Sequence, residues 1–289
     1  MLSLRTLSQT RKRLKQKATL GSLLVVLILF GLFLEAYMHN FNLVYIVLFF
    51  VFALAFFASP FGIYNMADLA LAYQGSDRLF AKKRSAIYLA LTNSKSTESY
   101  ALKLECMGQN LFVPALKAQS REILALSYRP ERRGKLEIGA CSLQSLFPLA
   151  TIRFLLPLDL SAHRVVYPRP QGSSLETFLS RQKGRYGQEN DFEGISPYTG
   201  DAPLGKIHWP SVAKGESALK KFAYEIPLEH LNFDFYQAGK NDEARLSQLT
   251  RWILECEAQN LDFQVQMPHE NLNSKRMSID EILEKLALY

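Results

Sequence analysis

The sequence predicts an α+β membrane protein, and three observations carry that expectation. Two unbroken apolar runs stand near the start, short alternating runs fill the middle, and residues 225–289 switch to a strand–helix rhythm. The expected order is a basic tail (1–17), a transmembrane helical hairpin (18–58) and an antiparallel β-sandwich-like domain (68–168). A glycine-rich segment (169–224) and a βαβα segment (225–289) follow. With 289 residues, 48% hydrophobic and 21% charged, the chain is neither a disulfide-stapled mini-protein nor a disordered polymer.

The hairpin comes first. Ala18–Leu34 (ATLGSLLVVLILFGLFL) and Phe41–Ala58 (FNLVYIVLFFVFALAFFA) contain no acid, base or His. About 20 helical residues cross the roughly 30 Å hydrocarbon layer, and the semi-polar flanks Thr19, Tyr37 and Tyr64 bring both runs to that length. The connection Glu35-Ala36-Tyr37-Met38-His39-Asn40 has room for a turn and no more. A cleaved signal peptide would carry a shorter apolar region and an A-x-A-like site, and neither is present. Two buried core helices would explain the runs less well, because helices apolar all round at this length are uncommon in soluble proteins.

Charge sets the orientation. The chain has 34 Lys+Arg against 27 Asp+Glu, a net charge of +7, but unevenly spread. Arg5, Arg11, Lys12, Arg13, Lys15 and Lys17 precede the first run, and Arg78, Lys82, Lys83 and Arg84 follow the second, while the hairpin loop holds no Lys or Arg. The positive-inside rule then places both termini in the cytoplasm. Residues 68–224 carry 22 bases and 14 acids, and residues 225–289 carry 6 bases and 12 acids. Nucleic-acid binding is therefore a weak reading of the net charge, since the basic tail is explained by topology. Cys106, Cys141 and Cys256 are scattered and show no C-x-x-C spacing, which suits buried thiols in a reduced compartment with no zinc or redox role.

The sandwich rests on five short alternating runs: Ala86–Thr92, Tyr100–Cys106, Glu122–Tyr128, Lys135–Ala140 and Thr151–Leu155. Turn residues separate them, including Asn93-Ser94-Lys95-Ser96, Gly108-Gln109-Asn110 and Phe147-Pro148. Several strands at such spacing point to an antiparallel sandwich. The glycine-rich segment contains the least ordinary stretch, Asp191–Lys214 (DFEGISPYTGDAPLGKIHWPSVAK), with Leu219–Glu225 as a further strand candidate. In the tail, Leu231–Phe235 reads as a strand and Glu243–Glu257 as a helix with Leu246, Leu249, Trp252 and Ile253 on one face. Leu261–Met267 reads as a strand parallel to the first. Ser278-Ile279-Asp280-Glu281 reads as a capping box opening a last helix.

These residues together resemble the family called domain of unknown function 58, bacterial membrane proteins, in its compact proteobacterial branch. The resemblance rests on the hairpin, then Arg132-Arg133-Gly134, Leu146-Phe147-Pro148-Leu149, Val166-Tyr167-Pro168, and then a signature. That signature stands here as Phe192-Glu193-Gly194, Tyr198, Gly200, Asp201, Ile207-His208-Trp209-Pro210 and Ala213-Lys214. Its usual Arg is Ser196 here, and the usual Gly-Leu after Phe-Pro is Leu149-Ala150. Larger members resemble a von Willebrand A-type fold after the signature, so the βαβα tail is expected as a truncated version of it. The metal motif of that fold, Asp-x-Ser-x-Ser, is not met: Asp234 is followed by Phe235, Tyr236, Gln237 and Ala238. A hard cation would lack two oxygen ligands there, and no metal or cofactor is expected.

The resemblance also implies a place and a partner. Relatives are commonly encoded beside a MoxR-type AAA+ ATPase and other membrane proteins, so the expectation is a non-enzymatic assembly or adaptor protein of the bacterial inner membrane. Its interaction residues would be Gly194, Tyr198, Gly200, Asp201, Ile207, His208, Trp209 and Lys214. The lipid bilayer is the other expected partner. An alternative is a membrane-surface hydrolase using Asp201 and His208 with a Ser such as Ser211, but no G-x-S-x-G elbow exists. H-E-x-x-H and phosphate-loop motifs are absent as well.

Overall fold

In the computed structural model, residues 10–39, 42–186, 188–197, 209–212, 214, 218–225 and 231–289 are described. The chain forms two units, Met1–Val166 and Tyr167–Tyr289, and its class is mixed α+β.

The first unit begins with a short strand, β1 (Lys15–Ala18), followed by helices α1 (Leu20–His39) and α2 (Asn42–Met66). Both helices are long and apolar enough to cross a membrane, with Leu23, Val26, Leu27, Phe49 and Phe50 exposed on them. Two expected boundaries shift. The basic tail was expected over residues 1–17, and Lys15–Ala18 at its end forms a strand that pairs antiparallel with 152–155. The second apolar run was expected to end at Ala58, yet α2 continues to Met66, because its last two turns bury Ala58, Gly62, Asn65 and Met66 against protein.

Strands β2 (Leu69–Ser76), β3 (Leu79–Phe80), β4 (Ser85–Asn93), β5 (Ser99–Cys106) and β6 (Gln109–Leu116) follow, then β7 (Ser120–Tyr128), β8 (Gly134–Ser145) and β9 (Ile152–Tyr167). One sheet runs β1-β9-β8-β5-β6 with β3 also against β9, and the other runs β2-β4-β7. The pairs β1–β9, β9–β8, β8–β5, β5–β6, β2–β4 and β4–β7 are antiparallel. Alternating residues of both sheets, among them Ile87, Leu89, Leu91, Leu104, Leu143 and Phe154, meet in one core, as the period of two requires.

The expected runs 86–92, 100–106 and 122–128 coincide closely with β4, β5 and β7, while β2 and β6 lie outside every expected run. The breaker expected at Gly108-Gln109-Asn110 is narrower in the structure: Met107 and Gly108, both with positive φ, form the turn, and β6 starts at Gln109. Pro114 is tolerated in β6 because that strand is a sheet edge. Strands β8 and β9 are also longer than expected, β9 reaching 16 residues.

The cysteines require a correction. Cys106 and Cys141 are not scattered thiols but a bonded pair, with Cα atoms 4.4 Å apart, because the β5–β8 register sets them directly opposite each other. Cys256 alone is a free, buried thiol.

The second unit contains α3 (Leu175–Tyr186), β10 (Gln188–Pro197), α4 (Trp209–Val212) and β11 (Ala218–Glu225), with β10 and β11 paired antiparallel. Then come β12 (Leu231–Asp234), α5 (Asp242–Gln259), β13 (Phe263–Gln266), β14 (Asn271–Asn273) and α6 (Ile279–Leu288). Strands β12 and β13 are parallel, as expected of strands joined through a helix, and β14 adds antiparallel to β13. Asn241 caps α5 by accepting from the Ala244 amide, and Asn260 ends it in a left-handed conformation. Ser278 and Glu281 form the expected capping box of α6. The core gathers Phe233, Leu249, Trp252, Val265, Ile282 and Leu286.

Candidate functional site

Two places in the molecule concentrate unusual residues. One is the junction between the apolar hairpin and the two-sheet body. The other is the signature segment of the second unit.

The junction is built from both helix ends. At the start of α1, Thr19 donates from Oγ1 to the carbonyls of Ala150 and Thr151, and its amide donates to Thr151 O at 3.1 Å. On α2, Ser59 Oγ donates to Gln16 Oε1 of β1 at 3.3 Å. Nearly two turns on, Asn65 clasps Tyr100: its Nδ2 donates to Tyr100 O at 2.9 Å, and its Oδ1 accepts the Tyr100 amide at 2.7 Å.

Beneath this clasp lies Lys95, 2% exposed. Its ammonium donates to Tyr64 O at 3.0 Å, Asn65 O at 2.6 Å and Ser99 Oγ at 2.6 Å. A cation at the last carbonyls of a helix is favoured by the helix dipole, and all three ammonium protons are used. The loop that presents it is held by Asn93, whose Oδ1 accepts the Lys95 amide at 3.1 Å and whose Nδ2 donates to Thr97 O and Lys117 O. Burial lowers the Lys95 pKa to about 8, with Asp68 partly opposing the shift. In sequence, Asn93-Ser94-Lys95-Ser96 has the composition of an ordinary turn. No local pattern marks a turn lysine as buried, since two of its three acceptors come from residues about 30 positions away.

In the second unit, the signature is only partly described. Tyr198, Gly200, Asp201, Ile207 and His208 lie outside the described residues. Gly194 is on β10, opposite Lys221 of β11, with a register shift between Phe192 and Gly194. Such bulges bend a strand and re-aim its neighbours. Trp209 opens α4 and is 56% exposed. Lys214 is exposed and its amide donates to Ser211 O at 3.0 Å. The fold thus sets Gly194 beside the basic pair Lys220 and Lys221, and leaves Trp209 open to contact.

The chemistry available elsewhere is limited. Among the described residues, no group of three or more His, Cys, Asp or Glu could hold a metal ion. The Asp234 carboxylate accepts from the Tyr236 amide at 2.8 Å and from Gln237 Nε2 at 3.1 Å, so it closes its own turn. Burial, with Glu255 adding to it, pushes the Cys256 thiol up to about 12, far from the range of a reactive thiolate.

No family model matches this chain, and no curated protein matches it. Among solved structures, the chain is similar to the CARDB domain of a Pyrococcus furiosus protein. That similarity covers 32% of this chain and 94% of the domain, with 13% identity and a TM-score of 0.22.

Proposed function

We propose that the chain is a membrane-anchored adaptor of the domain of unknown function 58 family, a partner of a MoxR-type AAA+ ATPase. In this reading α1 and α2 span the bacterial inner membrane as a hairpin, and both termini and the body lie in the cytoplasm. The first unit is a β-sandwich, and the parallel β12–α5–β13 crossover is the start of a truncated von Willebrand A-type fold.

The observation that carries the adaptor reading is Trp209. A large aromatic side chain left 56% exposed at a helix start, with Lys214 exposed close by in sequence, has the composition of a protein contact site. Asp201 and His208, on which the hydrolase alternative rests, lie outside the described residues, and no observation favours that alternative.

Orientation is supported by ten bases flanking the hairpin, each worth about 1 kcal/mol beside an anionic leaflet. The Cys106–Cys141 bond favours the opposite reading, an oxidising compartment around the body. We give the bases more weight, because strand register alone suffices to bring two cysteines together.

The test is capture of a MoxR-type ATPase by the detergent-solubilised full chain. Trp209→Ala and Asp201→Ala should each reduce capture while the thermal unfolding midpoint is unchanged. Undiminished capture by both variants would remove the signature segment as the contact surface.

A further inference from the structure

The loop Leu146–Ala150 joins β8 to β9 and carries two exposed leucines, Leu146 at 41% and Leu149 at 45%. Its position is fixed from two sides. Thr19 holds the carbonyls of Ala150 and Thr151, and the first turn of α1 presses on the same place. A β-carbon on Gly21 would stand only 2.8 Å from Ala150 O. On the body side, the Phe147 ring lies against Tyr100, with centroids 5.4 Å apart. The two leucines are therefore turned outward by packing, at the depth where the apolar helix begins.

The strand pair beside the loop has a second oddity. In the β1–β9 register, Lys17 stands directly opposite Arg153, and both are exposed. Like charges directly opposite in an antiparallel pair repel, and neither has an acidic partner among the described residues. Lys15 shares their face, two residues along. An anionic layer parallel to the helix start would relieve this repulsion.

We propose that the Leu146–Ala150 loop is a second membrane contact, with Leu146 and Leu149 in the bilayer interface and Lys17 and Arg153 against anionic phospholipid headgroups. This rests on the reading of α1 and α2 as a spanning hairpin. It adds that the body is seated on the leaflet surface and not merely tethered to it. The bilayer is the occupant the structure favours over a protein partner, because the patch is continuous with the lipid-facing start of α1. Long basic side chains three residues before a span reach headgroups readily.

The experiment uses the full chain in nanodiscs of phosphatidylcholine with phosphatidylglycerol. An environment-sensitive fluorophore is attached to cysteine at one position at a time: Leu149→Cys in the loop, Val26→Cys within α1, and His163→Cys far along β9. Labels at 149 should be quenched by shallow spin-labelled lipid, at 26 by deep spin-labelled lipid, and at 163 by aqueous iodide. At position 149, spin-labelled phosphatidylglycerol should quench more than spin-labelled phosphatidylcholine, by about fivefold for each base contributing. Lys17→Gln with Arg153→Gln should remove that preference.

Iodide quenching at 149 with lipid quenching retained at 26 would overturn the loop contact and leave the hairpin standing. Iodide quenching at both positions would overturn the hairpin and the loop contact together. An absent headgroup preference in the unsubstituted protein would overturn the anionic part.

Discussion

The ring of Phe154 lies against Gly62 so closely that a β-carbon on the glycine would fall 2.1 Å from Cε2 of the ring. Phe154 is a core residue of the two-sheet body, 1% exposed, and Gly62 belongs to the last turns of α2. Body and hairpin therefore share one packed seam, and the absence of a side chain at residue 62 is what lets it close.

Gly62→Ala should destabilise the protein by about 1–3 kcal/mol, the usual cost of overpacking a tight site. The readout is the unfolding midpoint in detergent. Combining it with Phe154→Leu should recover part of the loss, since the contacting ring is gone. Equal destabilisation by Gly62→Ala with either residue at 154 would refute the seam.

Lys95 makes stability depend on alkaline pH. Folded, it loses its proton near pH 8, and unfolded near pH 10.5. Between those values the unfolded chain holds more protons, so this group makes stability rise with pH. The full contribution is at most on the order of 3 kcal/mol, reached above the unfolded pKa and absent below pH 8. Lys95→Met should abolish that rise relative to the parent protein. At pH 7 it should also cost about 0.5–1.5 kcal/mol, by removing one of two donors from the carbonyls of Tyr64 and Asn65, which keep the Ala67 amide and Ser99 Oγ. An unchanged pH slope in the variant would show that the ammonium is not buried.

The Cys106–Cys141 pair reports on compartment. With the body in the cytoplasm, the reducing pool should hold open in the cell the bond that strand register permits, so rapid acid quenching followed by denaturing alkylation should trap both thiols, and a reporter fused after Tyr289 should be inactive if it requires the periplasm. A bonded pair together with an active periplasmic reporter would reverse the orientation.

Gln248 anchors the segment before α3. Its Oε1 accepts the Ser173 amide at 2.7 Å and its Nε2 donates to Ser173 O at 2.8 Å, a carbonyl that Trp252 Nε1 also reaches at 3.1 Å. Gln248→Leu should cost about 1–3 kcal/mol through the unpaired Ser173 amide. Hydrogen exchange at Ser173 should accelerate, while amides at the centre of α5 stay protected. Unaltered exchange at Ser173 would refute the anchoring role.

How legible each part was in the sequence follows from where its determinants lie. The alternation of β4 and the apolar face of α5 are local patterns, so both could be read directly. So could the Ser278 capping box, whose two hydrogen bonds join residues three apart. The pairing of Cys106 with Cys141 depends on the register of strands 35 residues apart, which no local pattern encodes. The Lys95 site failed to appear for the same reason: two of its three acceptors are supplied by the end of α2. Trp209 was visible as a residue type, but its exposure is a tertiary property. Of the other expected interaction residues, Gly194 and Lys214 can be placed, and the remaining five lie outside the described residues.

The contact between Thr19 and Ala150 joins positions 131 residues apart, and this separation has a consequence in time. At roughly 5–20 residues per second, a ribosome delivers Ala150 on the order of ten seconds after Thr19. On the hairpin reading, α1 and α2 have entered the bilayer well before β9 exists. Strand β1 then waits at the leaflet surface, already immobilised, with its hydrogen-bonding edge unfilled. The newly made body closes onto it from the other side. On that same reading, membrane insertion becomes an early step in sheet assembly, and the leaflet surface would hold β1 in place for the final strand pairing.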